Sequence, residues 1–448
     1  MSRIPPVALA GAAVIDGHLE STVIPDATIL IEYPDDNAIG CRNGVIAAVD
    51  GRDQVKIPVD ARVIDCSGKF IIPGLINAHV HTIGDGKPRP YSTPEDRRRL
   101  ARLLKTLPGR VVARAMMERN ALTALKSGVT TLRAVGDPFL YDIDVRNRID
   151  AGELLGPRIL TAGMILCASG GHGGEVFGRV ADSPWEFRKA VRLAVADDVD
   201  FIKITSTGGV TDAKRPGEAG RPHMTPEEIN AVCDEAHRAG LLVAAHAESS
   251  QGVLEALEAG VDTIEHGAEL TDEHIELFLD NPNSLRGYSA LIPTLTVVMN
   301  LTEAAPGASG LTPVQYDNVW RIREEMIAGF KTAYAAGVKI GIGTDSGAPL
   351  TPPYDTVKEL FHFMAFAGMT HREVIHRATI DTARIIGISD VTGSIEAGKS
   401  ADLLVLDGDP TGDIRFLIQP RMVVVRGDVI DRPRYRPNRK VERLRGGE

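Results

Sequence analysis

Two histidines two residues apart, His79 and His81, follow the apolar stretch 70–78. On an extended backbone, side chains two positions apart point the same way, so both imidazoles can reach one metal ion from the end of a buried strand. Neutral imidazole is a ligand that suits zinc and its neighbours among the transition metals. A His-x-His pair alone is weak evidence, because many such pairs are solvated loop residues. Candidate ligands further along the chain strengthen the evidence that this pair binds a metal.

Lys203 lies inside the apolar run 201–204, where a charged lysine is costly unless it is paired or neutral. One interpretation is a strand-end lysine whose long stem carries the ammonium to solvent. The other is a neutral amine that captures carbon dioxide as a carbamate, an anion able to bridge two metal ions. Taken alone, the lysine favours the first interpretation.

Three more potential ligands end apolar runs: His246 ends 241–246, His266 ends 263–266, and Asp345 ends 339–345. A lone histidine of this kind is usually a hydrogen-bonded core residue, but six candidates at five strand ends are not explained that way. Histidine nitrogens, an anionic bridge and a carboxylate together suit two cations about 3.5–4 Å apart. The pattern predicts a binuclear metal site.

The middle of the chain, from about residue 73 to 387, alternates strand-like and helical patterns. Besides the strand that ends at His79, the apolar runs are 129–135, 158–162, 201–205, 241–246, 263–266, 291–295 and 339–345. A helix is predicted over 225–239, with Thr225 as its N-cap. Eight β/α units fit a TIM barrel, whose chemistry lies at the carboxyl ends of the strands. The alternative, a doubly wound open sheet, lacks a Gly-x-Gly-x-x-Gly turn after its first strand.

Both chain ends read instead as short strands punctuated by turns. We therefore predict an α/β protein, a (β/α)8 TIM-type barrel at 71–388 with a small β-sandwich domain. Residues 1–70 would form the N-terminal part of that sandwich and residues 389–448 the C-terminal part.

Composition limits the partners and the compartment. The net charge of −10 argues against nucleic acid or an anionic membrane as a partner and leaves a small-molecule substrate. No apolar run approaches the roughly 20 residues that cross a bilayer, and Asp16-Gly17 closes the run 7–15 as a strand rather than a signal peptide. The four cysteines (Cys41, Cys66, Cys167 and Cys233) form no C-x-x-C pair, which favours reduced thiols in a cytoplasmic protein.

Several motifs, taken together, resemble the amidohydrolase superfamily. They are Pro73 to His81, Lys203, His246, the stretches 264–267 and 343–347, and the tail 393–406. The stretches 169–173, 207–210 and 293–295 are most similar to the imidazolonepropionase-like branch. That branch contains Xaa-Pro dipeptidases, ochratoxin-type amide hydrolases, and hydrolases of phenylureas and thiocarbamates.

The resemblance implies a ligand set and a mechanism. His79, His81 and Asp345 would hold the more buried of two divalent metal ions, which we expect to be zinc, and His246 and His266 the more exposed one. Lys203, as a carbamate, would bridge both. A hydroxide shared by the metals would attack the scissile carbonyl, with Asp345 passing the proton to the leaving nitrogen. Family members are commonly homo-oligomers.

Candidate substrate residues surround these ligands. His172, between glycine pairs on the loop after the third strand, would contact the substrate carbonyl or be a solvated loop histidine. Thr207 and Gly208 would shape the pocket. Arg215 and Arg221 would pair with a substrate carboxylate or remain solvated. The other candidates are Tyr288 and Tyr354 as oxyanion donors, and Glu248 facing substrate or supporting a ligand.

The sequence thus predicts a binuclear hydrolase that cleaves a C–N bond of an amide, dipeptide, urea or carbamate. His246-Ala247-Glu248 also resembles the motif of single-metal deaminases and cyclic amidine hydrolases, but Lys203 argues for two metals. A non-catalytic barrel with a binding or assembly role would be expected to lack ligands, and none is missing. The segment 301–320 is predicted to be a lid or an oligomer contact.

Overall fold

The computed structural model describes residues 4–34, 43–88, 93–174, 176–305 and 307–446, so Cys41 and Pro306 lie outside the described residues. Strands and α-helices are numbered separately in chain order. The strands are β1 (Val7–Val14), β2 (Ile24–Glu32), β3 (Val45–Gly51), β4 (Arg62–Asp65), β5 (Phe70–Pro73), β6 (Leu75–Val80), β7 (Val129–Ala134), β8 (Arg158–Thr161), β9 (Ile165–Cys167), β10 (Gly178–Val180), β11 (Ile202–Thr205), β12 (Val243–Ala247), β13 (Thr263–His266), β14 (Ala290–Ile292), β15 (Lys339–Ile340), β16 (Leu403–Leu406), β17 (Met422–Val425) and β18 (Asp428–Asp431). The α-helices are α1 (Pro94–Leu104), α2 (Leu107–Lys126), α3 (Tyr141–Asp150), α4 (Pro184–Ala196), α5 (Pro226–Arg238), α6 (Ser250–Glu258), α7 (Asp272–Leu279), α8 (Leu295–Glu303), α9 (Pro313–Ala335), α10 (Thr356–Ala367), α11 (His371–His376), α12 (Thr382–Ile386) and α13 (Arg439–Leu444).

Strands from the two chain ends share one sheet. Its order is β18-β17-β16-β5-β1-β2-β3, with β4 added beside β1. The junction between the ends is the antiparallel pair β5–β16, in which Pro73 lies opposite Leu403 and Phe70 opposite Leu406. Alternate residues of these strands, such as Leu9, Ile29 and Leu403, pack into one apolar cluster. Both ends of the chain therefore build one β unit.

The middle of the chain forms parallel sheets, as the strand–helix alternation predicts. One sheet has the order β10-β9-β11-β12-β13-β14-β15, and the other has the order β6-β7-β8. Backbone hydrogen bonds from Ala78 N to Ile342 O (2.7 Å) and from Asp345 N to His79 O (2.9 Å) join β6 to the segment that follows β15. The carboxyl ends of β6, β12 and β13 and the segment 341–345 thus carry the other candidate ligands, and Lys203 is the second residue of β11.

The helix predicted over 225–239 is α5, and it begins where the sequence predicts. Thr225 caps α5 through a capping box: its side chain accepts from Glu228 N, and the Glu228 carboxylate accepts from Thr225 N at 2.9 Å. Pro226 occupies the first helical position, where its missing N–H costs nothing. None of the described helices is long and apolar enough to cross a bilayer.

Three local expectations differ from the structure. The strand predicted over 339–345 is a regular strand only at Lys339–Ile340, and 341–345 makes separate backbone hydrogen bonds. The strand predicted over 291–295 ends at Ile292 because Thr294 adopts a left-handed φ of 46° and precedes α8. The loop predicted after the third strand contains two more short strands, β9 and β10. Helices α8 and α9 occupy the ends of the predicted lid segment, leaving 304–312 as the connection between them.

Candidate metal centre

Five of the six predicted ligands lie together in two adjoining groups. In the first group, Asp345 Oδ1 is 3.7 Å from His79 Nε2 and 3.5 Å from His81 Nε2. The second group contains His246 and His266, whose ring centroids are 4.6 Å apart. The His79 and His266 rings, 4.9 Å apart, join the two groups. Side chains up to 266 positions apart in sequence, from His79 to Asp345, therefore converge.

In three of the four histidines, the Nδ1 atom is held by an outer partner, which leaves Nε2 for a ligand. The partners are Glu265 Oε2 for His79 (2.6 Å), the Gly136 carbonyl for His81 (2.5 Å) and Thr294 Oγ1 for His266 (2.7 Å). Such partners fix the tautomer and the ring orientation of metal-binding histidines.

His246 has the opposite arrangement. Its Nε2 donates to the Gly208 carbonyl at 3.3 Å, so Nδ1 is the nitrogen left for a ligand. The neighbouring Thr207 hydroxyl accepts from Glu248 N at 3.1 Å and donates to the same carbonyl. Thr207 and Gly208, predicted to shape the pocket, therefore support His246.

The partner of His79 belongs to a buried ionic network. The Glu265 carboxylate also accepts from Arg133 Nη2 at 2.6 Å and from the Thr263 hydroxyl at 2.7 Å. Arg133 further donates to the carbonyl of Ala78 through Nε at 2.6 Å and to Thr263. Glu265 and Arg133 are almost wholly inaccessible to water, so each charge depends on the other.

Lys203 is the sixth predicted ligand and lies 2% exposed on β11. Burial, with a smaller contribution from Arg133, lowers its pKa to about 8 against the opposing charges of Glu265 and other nearby carboxylates. Its Nζ has no hydrogen-bond partner among the described residues, and the same holds for Asp345 Oδ1. Buried polar groups are normally satisfied, so these two atoms need a partner from outside the chain. The nitrogen and oxygen donors of the cluster fit a divalent metal.

The electrostatics of the cluster favour neutral imidazoles, the form that binds metals. Burial lowers the pKa of all four histidines, and the Lys203 ammonium lowers it further; the pKa of His81 falls to about 4. Burial also raises the pKa of Asp345 to about 7, opposed by Lys203 and His172.

The backbone at two ligands is strained. His266 has φ 72° and Asp345 has φ 55°, and Thr294, which supports His266, has φ 46°. Non-glycine residues rarely occupy this left-handed region, and such strain clusters at functional sites. The surrounding structure therefore holds these side chains in fixed directions.

His172 joins the cluster from its loop. Its ring stacks on His246 with centroids 4.6 Å apart, and its Nδ1 is 2.6 Å from Asp212 Oδ2. Burial lowers the pKa of His172, but the hydrogen bond and charge of Asp212 outweigh burial and raise it. A Cβ at Gly209 would lie 2.6 Å from the His172 ring, so glycine at 209 lets this ring approach.

Glu248 also lies in the second group, 6% exposed, with Oε2 3.8 Å from His246 Nε2. Burial raises the pKa of its carboxyl group to about 8.

Two of the predicted substrate residues, Tyr288 and Tyr354, are not brought to the cluster. Tyr288 precedes β14, at the opposite end of the strand from the ligands, and its ring lies 4.8 Å from Lys339 Nζ. The Tyr354 hydroxyl is engaged by Glu442 at 2.7 Å and by the backbone of Asn438. Arg215 and Arg221 are exposed.

Four supporting residues were not among the sequence predictions: Glu265, Arg133, Thr294 and Asp212. Glu265 and Arg133 had a signal, since both are charged residues inside apolar strands, as Lys203 is. The geometry that joins Asp212 to His172 has no counterpart in sequence spacing.

The chain is similar to known proteins over most of its length. The amidohydrolase family model matches residues 70–430. A candidate prolidase from Bifidobacterium longum has a crystal structure that superposes with a TM-score of 0.84 at 38% identity, covering 99% of this chain and 98% of the other. A Xaa-Pro dipeptidase with bound methionine in its active site gives a TM-score of 0.79 at 29% identity, covering 95% of this chain and all of the other. The ochratoxinase of Aspergillus niger is 28% identical over 378 residues, which is 79% of this chain and 73% of that protein.

These matches define a class of hydrolytic enzymes. The chain belongs to the amidohydrolase family.

Proposed function

We propose that this protein is a binuclear metal-dependent hydrolase that cleaves a C–N bond of an amide, dipeptide, urea or carbamate. One observation carries the proposal. Four histidines, each with one ring nitrogen already hydrogen-bonded, converge with Asp345 and the unpartnered Lys203 amine. The similarity of the chain to a Xaa-Pro dipeptidase and an ochratoxinase supports C–N bonds as the target.

In this proposal, His79, His81 and Asp345 hold one ion, and His246 and His266 hold the other. Lys203, as a carbamate, would be an anionic ligand of the same centre. Two bound divalent ions, which we expect to be zinc, would make water nucleophilic at neutral pH and polarise the substrate carbonyl.

Asp345 and His172 have separate roles in the reaction. Asp345 accepts the proton of the attacking water and returns it to the leaving nitrogen, because its carboxylate faces the cluster without another partner. His172, fixed by Asp212, presents its Nε2 side to the carbonyl oxygen on which negative charge develops.

We also propose the complete architecture that this mechanism needs. The two parallel sheets would be arcs of one eight-stranded (β/α)8 barrel over residues 71–388, and the terminal sheet would form a β-sandwich from residues 1–70 and 389–448. Closure would point every ligand-bearing strand end at one axis. A homo-oligomer is expected by analogy with relatives.

A single-metal deaminase or cyclic amidine hydrolase is the second candidate function. The position of Glu248 in the group with His246 and His266 favours it. That candidate gives Lys203 no role as a ligand, so a Lys203→Ala protein would keep much of its activity.

The proposal is tested by stripping the metal, reloading the protein with zinc, cobalt or manganese, and measuring hydrolysis. The panel contains Xaa-Pro dipeptides, N-acyl amino acids, phenylureas and carbamates. We expect metal-dependent cleavage of at least one C–N class. Cleavage that survives complete metal removal, or ammonia release from a ring substrate alone, would contradict it.

A further inference from the structure

Glu248 is a buried carboxylate that the proposed mechanism does not use. Its side chain is 8% exposed, and its Oε2 has no hydrogen-bond partner among the described residues. The backbone N–H of Val210 is directed at its carboxylate. The ligand atoms that Glu248, His246 and His266 can offer all lie within 4.8 Å of one another, so the carboxylate borders the candidate metal centre.

The position of Glu248 is fixed by its backbone. Glu248 N donates to the Thr207 hydroxyl at 3.1 Å. A Cβ on Gly220 would lie 2.3 Å from the carbonyl oxygen of Glu248, so the loop after β11 packs directly on this residue. The carboxylate is therefore held in place before any substrate arrives.

Two of the nearby protein cations are occupied by other partners, and the third, Lys203, is not a cation in its proposed carbamate form. The Arg321 guanidinium donates to the Ala219 carbonyl and lies 3.5 Å from Glu325. His172 is paired with Asp212. A buried carboxyl group with an unpartnered oxygen needs a partner, and a cationic donor on the substrate would both supply one and favour the ionised form of the group.

We propose that Glu248 binds the free primary ammonium group of the substrate's acyl portion. An ammonium offers three N–H donors and a positive charge, and a charge-assisted hydrogen bond to a buried carboxylate is among the stronger ones. The inference rests on the proposed C–N hydrolase function and narrows it to aminoacyl compounds, with dipeptides as the representative class. N-acylated amino acids, phenylureas and carbamates lack this group and would be bound less well.

The test measures binding by titration calorimetry on the metal-loaded protein, with L-methionine and N-acetyl-L-methionine as probes. The wild type should bind L-methionine about tenfold or more tightly than the N-acetyl compound. Glu248→Gln should remove that preference at unchanged metal content, and Glu248→Asp should keep part of it. Glu258→Gln, which removes an exposed glutamate from α6, is the matched control and should behave as the wild type does.

Three outcomes overturn the inference: equal affinity for the two probes in the wild type, no binding of L-methionine, or a preference that survives in Glu248→Gln. The hydrolysis panel separates this result from the proposed function. Hydrolysis of N-acyl amides or carbamates without an amine preference leaves the function standing and removes the ammonium subsite. Amine-selective binding without cleavage of any C–N compound supports the ammonium subsite and contradicts the proposed hydrolase function.

Discussion

Replacing Glu265 with glutamine tests how the buried network supports the metal centre. In the wild type one carboxylate oxygen is 2.6 Å from His79 Nδ1 and the other is 2.6 Å from Arg133 Nη2. Glutamine has one acceptor oxygen and one donor nitrogen, so it can accept from only one of these two partners. Glu265→Gln therefore removes the charge that balances Arg133 and loosens His79.

The two effects have different magnitudes. Leaving the Arg133 cation buried without its counter-charge is expected to lower the free energy of unfolding by about 3–5 kcal/mol. Loss of the outer partner of a metal-binding histidine typically weakens metal affinity by about 10–100-fold. The first effect is a change in stability of the metal-free protein, and the second is a change in affinity.

A second substitution separates them. Arg133→Met removes the cation, so the double variant with Glu265→Gln contains neither unpaired charge. We expect the double variant to lose less stability than the sum of the single variants, while its metal affinity stays low. Stability is measured by denaturant unfolding of the metal-free protein, and affinity by competition with a chelator.

Two results would refute this reasoning. Additive stability losses in the double variant would show that Arg133 and Glu265 are not coupled. Unchanged metal affinity in Glu265→Gln would show that His79 does not depend on the carboxylate.

Three other predictions concern the reaction and the fold. Asp345→Asn keeps an oxygen ligand but cannot take a proton, so hydrolysis should fall about 10²–10⁴-fold while metal is retained better than in His79→Ala; equal metal loss in both variants would argue against proton transfer. Gly209→Ala places a Cβ 2.6 Å from the His172 ring, so turnover should fall at constant metal content, and an unchanged rate would contradict the role of that ring. Burial raises the pKa of Glu359 from 4.5 to about 7, so the folded protein binds its proton more tightly than the unfolded chain. Its stability relative to Glu359→Gln should fall by up to about 3 kcal/mol between pH 4.5 and 7, and a difference independent of pH in thermal unfolding would contradict this.

The candidate ligands could be recognised in the sequence because their signals are local. His79 and His81 follow the two-residue period of a strand, and a polar residue at the end of an apolar run is visible without coordinates. The N-cap at Thr225 is equally local, and the structure confirms it.

The contacts of the supporting residues could not be predicted because they join positions far apart in the sequence. Glu265 and His266 are neighbours on β13, where strand alternation alone would send them to opposite faces. The left-handed backbone at His266 changes the direction of its side chain, and Glu265 reaches a strand 186 positions away. Tyr288 shows the opposite error: a tyrosine beside a strand looks suitable until its position at the amino end is known.

Counting the metal ions, with and without Lys203, tests the central claim most directly. Anomalous diffraction and elemental analysis of the zinc-loaded wild type should show two ions per chain, ligated by the four histidines and Asp345. Lys203→Ala should lower the metal content and abolish hydrolysis, with partial rescue by small carboxylic acids that replace the carbamate. One ion per chain in the wild type, or full metal content and activity in Lys203→Ala, would contradict the account.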